Sequence, residues 1–280
     1  MIEPCLSDDD FLADVAAARA AEGLHLWWLG QSGYLVIESG RHVLIDPYLS
    51  DSLTRKYAGT ERPHVRMMRR IVDPARLDFI ELVTSSHSHT DHLDPDTLQP
   101  LFAANEGLRC VAPEASRALA AERAGIAPHR IIGLDDGATV AVSGVRITAV
   151  ASAHESVERD AEGRCKFLGY VFQLGPFQVY HSGDTVLHDG LVSALEPLGV
   201  DVALLPINGA KPERGVPGNL TGAEAAGLAK GIRAGVVIPC HYDMFEFNTA
   251  SPDEFRAECR RIDQPFRVLE AGERWSLRPR

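Results

Sequence analysis

Along this chain the spacing of apolar residues changes period repeatedly, and each change marks an element. Ser7 is a good N-cap, and the acids Asp8 to Asp10 suit the positive end of a helix. Phe11, Leu12, Val15 and Ala18 then share one helical face, and Gly23 ends the helix. The period shortens over Leu24 to Leu29, Tyr34 to Glu38 and His42 to Ile45. With turns at Gly30-Gln31-Ser32-Gly33 and Ser39-Gly40, these runs read as a strand meander closed by Asp46-Pro47. Phe79 to Ser85 reads as a strand, Asp94-Pro95 as a helix start, and Leu108 to Val111 as a strand. Pro113 to Arg123 reads as a helix stopped by Gly125, with a short strand at Ile131-Ile132.

Two hairpins follow, Ala138 to Val142 with Val145 to Ala151, and Lys166 to Leu174 with Phe177 to His181. Leu187 to Leu198 reads as a helix and Val200 to Ile207 as a buried strand. Capping boxes at Thr221-Gly222-Ala223-Glu224 and Ser251-Pro252-Asp253-Glu254 open two more helices. Gly235 to Pro239 is a strand between them, and Phe266 to Leu269 and Arg274 to Leu277 close the chain as strands. The chain therefore reads as two similar halves, each starting with antiparallel strands and ending with alternating strands and helices. Two such halves packed sheet to sheet make an α/β, four-layer αββα sandwich, held as one domain over residues 1–280.

Composition narrows the function. An apolar share of 45% is ordinary for a globular enzyme. A formal net charge of −11 argues against nucleic acid and against anionic membranes as partners. The five cysteines are scattered with no CxxC pair, as in a reduced cytoplasmic protein. The first ten residues are acidic and do not read as a signal peptide, and no apolar run approaches a membrane span. One stretch departs from this acidity. Residues 52–78 carry Arg55, Lys56, Arg62, Arg66, Arg69, Arg70 and Arg76 against three acids. That segment reads either as a lid that attracts an anionic substrate or as a solvated surface.

The chemistry concentrates in Ser86-His87-Ser88-His89-Thr90-Asp91-His92, directly after a strand. In an extended segment His87 and His89 point to one side, while Asp91 and His92 aim elsewhere where the chain turns. Imidazole and carboxylate are the donors a divalent transition ion prefers. His154, Asp184 and His241 also fall just past strand ends, where open α/β sheets place their sites. Seven such donors suffice for two ions with one carboxylate between them.

On these residues the chain resembles the metallo-β-lactamase fold. His87-x-His89-x-Asp91-His92 matches that family's signature, and the motifs around His154, Asp184 and His241 follow in its order. The resemblance implies that His87, His89 and His154 hold one ion. Asp91, His92 and His241 would hold the second, with Asp184 bridging. Within the superfamily the chain is similar to L-ascorbate-6-phosphate lactonase and its UlaG-like relatives. The matching stretches are Trp27-Trp28-Leu29-Gly30, His64-x-x-Met67-Met68-Arg69, Val179-Tyr180-His181-Ser182-Gly183-Asp184 and Val237-Ile238-Pro239-Cys240-His241-Tyr242-Asp243. That family uses zinc or manganese, as two divalent ions or one.

The expected reaction is hydrolysis. A divalent ion lowers the pKa of bound water from about 15.7 toward about 7 and polarises the attacked oxygen. Asp91 is expected to be the catalytic carboxylate that orients the nucleophile and passes a proton to the leaving oxygen. Asp46 is a candidate to orient a ligand histidine. His181 reads either as a group that supports a ligand or touches substrate, or as a satisfied buried histidine. Tyr242, Asn208 and Lys211 are candidates to touch substrate, Arg66, Arg69 and Arg70 to bind its anionic group, and Trp28 to wall the pocket. The favoured substrate is a small anionic ester or lactone. A phosphodiesterase of cyclic nucleotides or phospholipid-like diesters is the alternative, ahead of a nuclease or a non-enzymatic metal sensor. A homo-oligomer is left open.

Overall fold

The computed structural model describes residues 1–279. Two mixed sheets carry the fold. The strands of the first are β1 (Leu24–Gly30), β2 (Gly33–Glu38), β3 (Arg41–Ile45), β4 (Leu82–Thr84), β5 (Arg109–Pro113) and β6 (Ile131–Leu134), with β13 (Arg274–Leu277) on the outer edge beside β1. β13, β1, β2 and β3 pair antiparallel, and β3 to β6 pair parallel. The second sheet repeats that change of direction. β7 (Thr139–Val142), β8 (Val145–Ala151), β9 (Leu168–Leu174) and β10 (Phe177–His181) are antiparallel, and β11 (Val202–Pro206) and β12 (Val236–Cys240) continue in parallel.

Helices cover both sheets, as the paired-halves reading requires. Of α1 (Asp8–Ala18), α2 (Ser52–Lys56), α3 (Pro95–Ala104) and α4 (Arg117–Ala124), α4 packs on β5 and β6. Of α5 (Leu191–Leu195), α6 (Gly222–Gly231) and α7 (Asp253–Arg261), α5 packs on β8 and α6 on β11 and β12. The sheets are tied face to face by Tyr34, whose hydroxyl donates to Pro239 O, and by Tyr170, which donates to Ser85 O. Every residue of β1 is buried. Its Trp27 meets Phe11 of α1 edge-on and donates to Asp14, so α1 covers the outer face.

Several local expectations are corrected. The strand before the histidines is shorter than expected, Leu82–Thr84, with Glu81 at its start donating to His42 O and accepting from Arg109 N. The helix expected from Leu187 begins only at Leu191, after Gly190 at a left-handed φ of 88°. Phe266 makes a single bridge to Val237 rather than a strand. The Thr221 capping box forms, with Thr221 and Glu224 bonded reciprocally. The one at Ser251 does not: Glu254 accepts from Gly222 N of the neighbouring α6 instead. Among the described residues no helix is long and apolar enough to cross a membrane.

Candidate metal centre

Seven donors from both halves converge where the strands end. The 87–92 loop coils tightly, with His92 N and Leu93 N both donating to His89 O. Arg123 of α4 pins it from outside by donating to Ser88 O and Leu93 O. Three donor groupings result, His87/His89/His154, His87/His92/Asp184 and Asp91/His92/His241. Within each, the donor atoms lie within 4.8 Å of one another. Asp184 stands between the outer two: its Oδ2 is 3.6 Å from His154 Nε2 and 3.3 Å from His241 Nε2, and its Oδ1 is 3.3 Å from His92 Nε2.

The imidazoles are aimed by bonds from behind. His92 Nδ1 donates to Asp46 Oδ2 at 2.7 Å, and Asp46 also accepts from Ser86 N and Ser86 Oγ. His154 Nδ1 donates to Gly218 O at 2.9 Å. Each leaves Nε2 facing inward, the arrangement that fixes a metal-binding histidine. The packing behind is tight. Gly183 has φ 60°, and a Cβ there would stand 2.5 Å from Ser86 Cβ, so only glycine brings Asp184 this close to the 87–92 loop.

Charges at the site are strongly biased. Burial pushes the His87 imidazole well below its ordinary pKa, helped by His92 and His89. Burial opposes charge on His92 too, but the carboxylates of Asp184 and Asp91 and the bond to Asp46 outweigh it and hold its pKa well above the usual value. Burial likewise opposes charge on Asp184, yet His241 and His92 keep it well below the carboxylate range. His87 Nε2, His92 Nε2 and Asp184 Oδ1 are buried with no hydrogen-bond partner. Unpaired buried polar atoms are costly, and three of them converging in one imidazole–carboxylate set fit a divalent cation.

Five of the seven donors, His89, Asp91, His154, Asp184 and His241, line a cavity of about 290 Å³. Its cations are Lys56 and Arg123, and one wall is aromatic. Tyr57 stacks on His64 at 4.2 Å, and His64 meets Phe245 and Phe247 at 5.2 and 4.5 Å.

Other candidates go elsewhere. Arg66 is buried and donates to Met68 O and Ser50 O, and Arg69 pairs with Glu3 and Asp8. Arg70 pairs with Asp73. None of the three lines the cavity, so their expected contact with substrate is corrected. The N-terminal acids and nearby aspartates neutralise them. From residues 52–78, only Leu53, Lys56, Tyr57 and His64 reach the cavity. His181 is a satisfied buried histidine, bonded to Ser32 O and accepting from Gly183 N. Tyr242 donates to Leu269 O and stacks on Trp28. Both rings line a separate cavity of about 540 Å³. Asn208 is tied to Asn248 and Asn219, and Lys211 is exposed outside the cavity lining.

Three residues of the centre escape a reading of motifs. Phe167 packs against His87, His89 and His154 at centroid distances of 4.9, 5.8 and 5.4 Å. Arg123 braces the loop. Gln31 donates to Asp91 Oδ2 at 2.7 Å and lies 3.0 Å from His241 Nε2. The rule that located the ligands, a polar residue just past a strand end, applies equally to Gln31 after β1.

The chain is similar to known proteins. Residues 41–242 match the family model described as beta-lactamase superfamily domain. A UPF0173 metal-dependent hydrolase of Rubrobacter xylanophilus is 31% identical over 261 residues, covering 90% of this chain and 96% of the relative. One from Methanopyrus kandleri is 30% identical, covering 89% and 98%. Among solved structures, a possible metal-dependent hydrolase from Veillonella parvula superposes with a TM-score of 0.73 at 17% identity, covering 92% of this chain and all of that one (100%). An isothiocyanate hydrolase from Delia radicum gut bacteria gives 0.72 at 20% identity, covering 91% and 99%. These two likenesses show the fold. The sequence relatives go further: the chain belongs to the UPF0173 metal-dependent hydrolases of the beta-lactamase superfamily.

Proposed function

We propose that this metal-dependent hydrolase opens a small ester or lactone that carries one anionic group, in the manner of the lactonase it resembles. His87, His89 and His154 would hold one divalent ion, Asp91, His92 and His241 a second, with Asp184 shared. A bound zinc or manganese would supply a water acidic enough to attack at neutral pH and a Lewis acid for the attacked oxygen. The observation that carries this reading is a set of convergent imidazole and carboxylate donors, five of which line a cavity that also holds Lys56 and Arg123.

The residues divide the work by position. Asp91 is the ionised carboxylate nearest the mouth. Burial raises its pKa, but the His92 and His241 imidazoles outweigh that and keep it below the usual value. Its free oxygen takes the proton of the attacking water and returns it to the leaving oxygen. The aromatic wall of Tyr57, His64, Phe245 and Phe247 excludes water from an apolar body. Lys56 and Arg123 attract the anionic group.

A panel tests the choice of substrate. Ascorbate-6-phosphate lactone and aryl-bearing anionic lactones are measured against bis-p-nitrophenyl phosphate. Turnover of the lactones supports the proposal, and turnover of the diester alone makes the protein a phosphodiesterase instead.

A further inference from the structure

Gln31 is a fully buried polar side chain with no part in the ligand set above. It sits in the turn between β1 and β2 at a left-handed φ of 49°. Its backbone is held independently of its side chain: Gln31 O accepts from Trp28 Nε1 at 3.0 Å and from His241 N at 2.9 Å. The amide nitrogen lies 2.7 Å from Asp91 Oδ2 and 3.0 Å from His241 Nε2. The Asp91 carboxylate fixes which way the amide faces, because only N–H can donate to it. Gln31 Oε1 is left buried without a partner.

Both bonds fall on one side of the centre. Asp91 and His241 belong to the second donor grouping, and the amide makes no bond to His87, His89 or His154. The lone pairs that receive the two N–H groups are the ones a cation in that grouping needs. We propose that Gln31 is a built-in competitor for the second ion. Its amide holds Asp91 and His241 in place while that position is empty. An ion can enter only by breaking both bonds, so the second position binds more weakly than the first. At limiting metal the chain then carries one ion, with Asp91 still aligned by the amide. This inference rests on the two-ion reading of the centre.

The test is a stepwise titration of chelator-stripped protein with cobalt(II), read by its ligand-field absorption and by competition with a chromophoric chelator. The variants are Gln31→Leu, which removes the donor, and Gln31→Asn, which tolerates the left-handed backbone and withdraws the amide by one carbon. The protein as it stands is expected to load in two steps. In both variants the first step stays and the second tightens by about 10-fold or more, on the scale of residues that orient metal ligands. An unchanged second step makes Gln31 a bystander, and a weakened one makes it a ligand; either overturns the proposal. Failure of the unaltered protein to bind a second ion would instead remove the two-ion reading itself.

Discussion

The two sides of the centre are built from different materials. Around His87, His89 and His154 the backing is largely apolar: Phe167 covers all three rings, while His87 Nδ1 meets the Ser86 hydroxyl at 3.0 Å and His154 leans on a main-chain carbonyl. Around Asp91, His92 and His241 it is polar and charged, with Asp46 behind His92 and Gln31 on Asp91 and His241. Burial therefore lowers the His87 pKa on the first side, while the carboxylates around His92 raise its pKa on the second. A ligand must be deprotonated before it binds a metal. On the proposed two-ion reading, protons compete less for His87 in the first position and more for His92 in the second, where two hydrogen bonds must also break.

The largest effect that would break this comparison is loss of the shared group. Asp184→Asn is expected to lower turnover and metal content by more than the roughly 10–100-fold that loss of a supporting residue costs, checked by kinetics and elemental analysis. Next is Asp46→Ala, which frees the His92 ring. It should weaken the second position by about 10–100-fold and the first by less, because Asp46 meets His92 directly but His87 only through Ser86 Oγ, measured in the same cobalt titration. Equal weakening of both positions would erase the distinction.

Proton release sharpens the contrast. Calorimetry in buffers of different ionisation enthalpy should show more proton release with the second ion than with the first. Stability of the metal-free protein carries the matching signs. The raised His92 pKa contributes stability that is present below its unfolded value of about 6.5 and lost as pH rises through the folded value. The depressed His87 pKa acts oppositely: the unfolded chain takes the proton, so stability falls as pH drops through about 6.5. Thermal melts of the His92→Ala and His87→Ala proteins across pH separate the two.

The smallest effects lie at the rim. Lys56→Gln should raise KM several-fold for anionic substrates and leave neutral lactones unchanged. Arg69→Ala should leave KM alone for both, because Arg69 is an exposed partner of Glu3 and Asp8, a kind of pair worth about 0–1 kcal/mol. A KM effect at Arg69 would restore the basic segment as a substrate lid.

The difference between those two cations also shows what a sequence can convey. The convergence of the candidate ligands was legible because few roles besides metal binding place His-x-His-x-Asp-His and three later donors at strand ends. The two-sheet fold was legible because the period changes once per element. An arginine, by contrast, does not announce its partner. Arg66, Arg69 and Arg70 were spent on Ser50, Met68, Glu3, Asp8 and Asp73, contacts made by segments remote in sequence or by loops without periodicity. Phe167 was illegible for a related reason, and Gln31 was missed although it too stands just past a strand end. Neither side chain has a chemistry of its own, and each acquires a role only when the β1–β2 turn meets His241 or when residue 167 lands on three imidazoles. Trp28 and Tyr242 matched a motif, yet their rings turn toward the other cavity.

Metal content tests the central claim most directly. Protein purified with zinc or manganese in excess is compared with His89→Ala and Asp184→Asn by elemental analysis. Two ions per chain are expected in the unaltered protein, one in His89→Ala and fewer than one in Asp184→Asn. Retention of the full content in both variants would contradict the assignment of these residues as ligands.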